Sequence, residues 1–199
     1  MPWLLCALAT LLVAAPAAVA APSRDRWTEA DSVLTLGRVE RDLTGDSIPE
    51  IVSLTGAKIT PDSVAVTLAI TSAGKTLYSL TWPVTRTVGY DAGRRRLSDA
   101  AWKKWLDDLG PFFFEPSKFM PPDGFIAMLR RSARLHIDQI PDVIHRDGAS
   151  GDRSHAAAVW AEMQTAGVTV FRISTGGDGV TAIAWSPSEQ RFYRLWECC

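Results

Sequence analysis

The chain has 199 residues, with 21 basic against 22 acidic side chains and a formal net charge of −1 at pH 7. Near-neutrality excludes a general electrostatic attraction to nucleic acid or to an anionic membrane surface, which both need an excess of positive charge. The length suits one core-bearing domain and is short for two.

The first twenty residues carry no charged side chain and end in Ala18-Val19-Ala20. An apolar stretch before a small-residue site predicts a secretory signal, cleaved after Ala20, and hence an exported protein, periplasmic or extracellular. The stretch is too short and Ala-rich for a membrane span. Residues 21–199 then form a single globular domain in which Cys198 and Cys199 are the cysteines that survive. Adjacent Cα atoms are about 3.8 Å apart, below the roughly 4.4–6.8 Å of ordinary disulfides, so a bond between these neighbours is strained. The alternatives are free thiols or a disulfide-linked dimer through Cys198 or Cys199, and an oxidising compartment favours a bridge.

Residues 32–39 read as a first strand that feeds the stretch Asp42-Leu-Thr-Gly-Asp-Ser-Ile-Pro-Glu50. Side-chain oxygens recur there at Asp42, Thr44, Asp46 and Glu50, with Gly45 letting the backbone wrap. A hard cation such as calcium takes six to eight oxygens, so this spacing predicts a calcium site. Asp42, Asp46 and Glu50 would supply charge, Thr44 its hydroxyl and Ile48 its carbonyl. The stretch resembles the calcium loops of FG-GAP and VCBS-type repeat modules, whose pattern runs roughly Asp-x-Asp/Asn-Gly-Asp-Gly-x-x-Asp/Glu. Asp42, Gly45, Asp46 and Glu50 match it. Thr44 replaces an Asp or Asn, and Ser47 stands where the second Gly belongs, a position that often needs φ > 0. Ser53 takes the place of the bidentate Glu that an EF-hand requires. No second copy follows, which argues against a propeller.

The strand after the loop, 50–54, is the hairpin partner of the first. Val64, Val66, Leu68 and Ile70 alternate along the next strand, and the turn Ser72-Ala-Gly-Lys75 leads to another through Trp82. The N-terminal half is therefore an antiparallel meander. Arg94-Arg95-Arg96 reads as a solvated loop. Ser98 can cap a helix with apolar positions Ala101, Trp102, Trp105, Leu106 and Leu109, which Gly110 and Pro111 are expected to stop. Phe112-Phe113-Phe114 beside prolines reads either as core at a helix junction, the reading favoured here, or as an exposed ligand groove. A second helix is predicted over 125–133.

Residues 136–147 hold the densest set of acid–base side chains: His136, Asp138, Asp142, His145 and Asp147. They read as polar loop, because no His-x-x-x-His pair puts ligands on one helical face. Ser150 or Asp152 can cap a third helix through His155, Val159, Trp160 and Met163, closed by Gly167. The C-terminal part is again β: 168–174, a Gly-Asp-Gly turn, 180–185 and 191–196.

The expected fold is thus α+β, with an antiparallel sheet built from the N-terminal meander and the C-terminal hairpins and about three central helices on one side. The expected function is that of an exported, non-enzymatic module, stabilised by calcium at its first hairpin, that binds a protein or cell-envelope partner. The competing expectation is a small exported hydrolase drawing on Asp142, His145, Asp147 and His155.

Overall fold

Alternating branched residues organise the first half of the molecule. In the computed structural model, which describes residues 33–88, 95–131, 137–148, 152–176 and 179–198, four strands form an antiparallel meander in sequential order. They are β1 (Val33–Arg41), β2 (Glu50–Thr60), β3 (Ser63–Ser72) and β4 (Lys75–Thr85). Successive strand side chains point to opposite faces. The register sets Leu54 opposite Leu68 and Val66 opposite Trp82, so one face is a continuous apolar layer. Ser53, Thr55 and Thr67 occupy the other face and bond across neighbouring strands. The predicted leader at 1–20, His136, Ser150 and Cys199 lie outside the described residues.

A short pair, β5 (Thr87–Val88) and β6 (Arg95–Arg96), leads to α1 (Asp99–Phe113). Ser98 caps α1 as expected, accepting from the Ala101 N–H at 3.3 Å. Trp102, Leu106, Leu109 and Phe113 then recur on one face and bury against the first sheet. The expected stop at Gly110 and Pro111 does not occur: α1 runs through both. Gly110 serves contact instead of termination. A Cβ there would stand 2.1 Å from the Leu36 carbonyl oxygen, and one on Gly37 would meet Gly110 Cα at 2.9 Å. Two glycines thus let helix and strand backbones touch, and β1 bulges at that point.

The second sheet has the order β10-β9-β8-β7, from β7 (Phe119–Met120), β8 (Val170–Gly176), β9 (Gly179–Ser186) and β10 (Arg191–Cys198). It is covered on both sides. Phe171, Ile173, Ile183 and Phe192 join the core of the first sheet, whereas Val170, Ala182, Ala184, Tyr193 and Leu195 pack with α2 (Pro122–Arg131), α3 (Ile140–Arg146) and α4 (Arg153–Thr165).

The mixed α+β class and the antiparallel pairing agree with expectation, and the arrangement differs in three ways. The strands form two four-stranded sheets instead of one. Four α-helices are described, not three, because α3 lies where the sequence reads as polar loop. Finally, α1 packs on the first sheet while α2, α3 and α4 cover the far face of the second. Asp152, the alternative to Ser150, caps α4 by accepting from the Ser154 and His155 N–H groups. No helix among the described residues is long and apolar enough to cross a membrane.

Candidate functional site

The Asp42–Glu50 turn joins the two sheets. Leu43 is fully buried in the first core, its carbonyl accepts the Thr169 N–H at 3.2 Å, and Thr169 Oγ1 donates to the Asp42 carbonyl at 2.8 Å. Gly45, at φ +80°, lies so close to the end of α4 that a Cβ would stand 2.5 Å from the Ala166 carbonyl oxygen. Ser47 has φ +68°, the left-handed backbone that the second glycine of the pattern would supply more cheaply.

Each carboxylate of the turn is engaged by the turn itself. Asp42 Oδ1 accepts from the Gly45 N–H at 2.7 Å and Oδ2 from the Ser47 N–H at 2.9 Å. Asp46 accepts from the Ile48 N–H at 2.8 Å. Glu50, only 1% exposed, accepts from the Leu43 N–H at 2.7 Å and from the Thr44 hydroxyl at 3.2 Å. These are the bonds by which Asp and Glu hold tight turns. Ile48 is exposed, and among the described residues no three or more His, Cys, Asp or Glu side chains are grouped as a metal site would group them.

The acid–base residues of the second half are placed in separate pairs. Asp142 meets Arg153 at 2.6 Å, and Asp147 meets Arg194 at 3.0 Å while also accepting its backbone N–H at 2.8 Å. His155 Nε2 lies 2.5 Å from Glu189 Oε1, and the other oxygen of Glu189 accepts from the Tyr193 hydroxyl. Burial, with this carboxylate beside it, pushes the Tyr193 hydroxyl up to about 12. His145 is exposed on α3. The arrangement ties α3 and α4 to β10 and to the turn before it.

The concave feature of interest is a cleft between α1 and β4. Trp82 and Val84 form one wall, Trp105, Leu109, Phe112 and Phe113 the other, with Asp108 and Ser174 as polar edges, around about 370 Å³. Helical spacing puts Trp105, Asp108, Leu109 and Phe112 on one side of α1, and strand alternation puts Trp82 and Val84 on one face of β4. Trp82 stacks on Phe113, and Trp105 on the buried Trp102, so both indoles are fixed from behind. Asp108 is held by Lys104 one turn away at 2.6 Å. Phe112 is 44% exposed, whereas Phe113 and Phe114 are buried.

The aromatic run therefore divides: two of its rings are core, as favoured from the sequence, and the first lines a groove. Helical phase could have found this, because Phe112 is three residues from Leu109 and seven from Trp105 once α1 is allowed to pass Pro111. Lys118 carries no such signal in sequence. Its burial comes from the 3-10 turn Pro116–Lys118, which lays its stem against the fold with Nζ 4.1 Å from the Phe112 ring centroid. Comparison with known proteins finds no protein-family model that matches the chain, and no curated protein and no solved structure similar to it.

Proposed function

We propose that the protein is an exported, non-enzymatic binding module that takes an apolar group of a protein or cell-envelope partner into the cleft between α1 and β4. The observation that carries this is Phe112, held 44% exposed at the edge of a cleft lined by Trp82, Trp105 and Leu109. Large apolar side chains left in water beside a concave apolar surface mark binding sites. The placement of Asp142, Asp147 and His155 in three separate pairs, each joining secondary-structure elements, supports binding over hydrolysis. Export is read from residues 1–20, and N-terminal sequencing of the protein from its native envelope tests it: Ala21 is the first residue expected, and an intact Met1 would contradict it.

Calcium belongs to this reading as a stabiliser of the first hairpin. An ion drawing on Asp42, Thr44, Asp46, Ile48 and Glu50 would compete with the N–H groups of Leu43, Gly45, Ser47 and Ile48 for the same oxygens. The affinity expected is therefore at the weak end for extracellular sites, a Kd on the order of 10⁻³ M.

The cleft is tested in the native host with a photo-crosslinking phenylalanine analogue placed at Phe112 and, as control, at the exposed Ile59 on the first sheet. An adduct to one envelope component from position 112, absent from position 59 and lost with Trp105→Ala, is expected. Equal adducts from both positions would remove the cleft from consideration.

A further inference from the structure

Buried charges in proteins are paired, because an ion stripped of water needs compensation, and an exception calls for a partner from outside. The described residues include two buried cations, Arg86 at 6% and Lys118 at 8% exposure. Arg86 follows the rule: it pairs with Asp62 and Asp99, and its Nε donates to the Leu97 carbonyl at 2.6 Å. Lys118 does not. No ion pair or hydrogen bond joins its ammonium to another described residue; it lies over the Phe112 ring and, unlike Arg172 Nε, is not an enclosed atom, so the stem is buried while the charge keeps a path to solvent.

A second cation makes the exception larger. The β7–β8 register pairs Phe119 with Phe171 and Met120 with Val170, which sets Lys118 across from Arg172, and this neighbouring charge, after burial itself, holds the Lys118 ammonium below the ordinary lysine range. Arg172 Nε is buried and has no hydrogen-bond partner. The carboxylate felt at Lys118, that of Glu115, belongs to an exposed residue and stands 3.5 Å from the Ser117 hydroxyl. Lys118, buried along its stem, and the half-buried Arg172 thus set two like charges side by side, with exposed Glu115 the carboxylate felt there, a repulsion that an arriving anion would relieve.

That corner adjoins the cleft. Phe112 lines the cleft and carries Lys118 on its ring, and Ser174, two residues along β8 from Arg172, lines it too, while Lys118 and Arg172 themselves stand just outside the cleft wall. At the opposite edge Asp108 is already neutralised by Lys104, so the unbalanced charge lies on the Lys118 side. We propose that Lys118 and Arg172 are an anion seat at the foot of the α1–β4 cleft, and that the ligand is a small amphiphile with an apolar body and a carboxylate head. The assignment rests on the cleft being the binding site, and it names the ligand class. An arginine N–H beside an ammonium suits a carboxylate with two oxygens to offer. The cleft's volume lies at the small end of the range for ligand pockets, which matches a short chain or single ring.

The test uses three probes of one shape, octanoate, octan-1-ol and octylammonium, titrated into the purified chain. The indole N–H resonances of Trp82 and Trp105, assigned with Trp→Phe variants, are followed. Octanoate should bind roughly tenfold or more tighter than octan-1-ol, with octylammonium weakest, and both indoles should shift. Lys118→Met and Arg172→Met keep the aliphatic stems and should bring octanoate down to the affinity of octan-1-ol, which itself stays unchanged. Lys118→Arg should keep the preference. Equal affinities for octanoate and octan-1-ol, with both indoles shifting, would overturn the anion seat and leave the cleft standing. No shift with any probe would overturn both, and a preference surviving in both methionine variants would overturn the assignment to these two residues.

Discussion

At the Asp42–Glu50 turn three carboxylates are each met by donors of their own turn, whereas at the foot of the Phe112 cleft two cations meet no acceptor among the described residues. Both places bring charge towards the interior, and the difference lies in who completes it. Charge completed by the chain itself fixes geometry: Glu50 closes the first hairpin and Leu43 and Thr169 then join sheet to sheet. Charge left incomplete adds nothing to the fold, and under the proposal above a group from outside completes it. The turn that looks functional in sequence also serves as a structural joint, and the proposed anion seat centres on a lysine with no motif around it.

The largest effect that could break this contrast is at the joint. Leu43→Ala removes a fully buried side chain where the turn enters the core and should cost roughly 2–5 kcal/mol in urea unfolding. A loss below about 0.5 kcal/mol would mean that the turn merely covers the surface. Glu50→Gln comes next. It keeps an oxygen to accept from the Leu43 N–H and turns an amide donor towards the Thr44 hydroxyl, which can accept, so exchanging charged for neutral hydrogen bonds should cost about 1 kcal/mol.

Period alone made much of the fold legible. Alternation at Val64, Val66, Leu68 and Ile70 marks the meander, and Ser98 with Trp102, Leu106 and Leu109 marks α1. The second sheet is less legible because burial on both faces erases alternation: Ala182, Ile183 and Ala184 are consecutive and all buried. α3 is seven residues long, too short for its buried Ile140 and Ile144 to stand out as a period. Gly110-Pro111 carries the local chemistry of a helix stop, and only the approach of β1 makes that glycine a contact. At the candidate sites the asymmetry is similar. The Asp42–Glu50 pattern is local, so it is visible in sequence, but ligation and turn-holding use the same residues. The cleft depends on residues from α1, β4 and β8, and the burial of Lys118 depends on tertiary packing alone.

An effect of similar size sharpens the joint side of the contrast. With a Kd near 10⁻³ M, 10 mM calcium should add at most about 1.4 kcal/mol to the folded state, read as a modest rise in thermal midpoint over a chelator control at fixed ionic strength. Asp46→Asn should remove that rise. A midpoint gain corresponding to several kcal/mol would show that the carboxylates converge on an ion and that the backbone bonds of the turn are secondary.

The most direct measurement is the unfolding free energy of Lys118→Met against the unaltered chain, without ligand and as a function of pH. Near neutral pH the variant should match the parent within about 0.5 kcal/mol or exceed it, since the substitution keeps the apolar stem and relieves the repulsion from Arg172. Because the Lys118 ammonium is held below its ordinary range, the native state binds fewer protons than the unfolded chain between that lowered value and the ordinary lysine pKa. The Lys118 contribution therefore makes the parent's stability climb with pH across that window, and the climb should be absent from the variant. A loss of more than about 1 kcal/mol near neutral pH would contradict the account, because it would show that the Lys118 charge already has a structural partner in the protein.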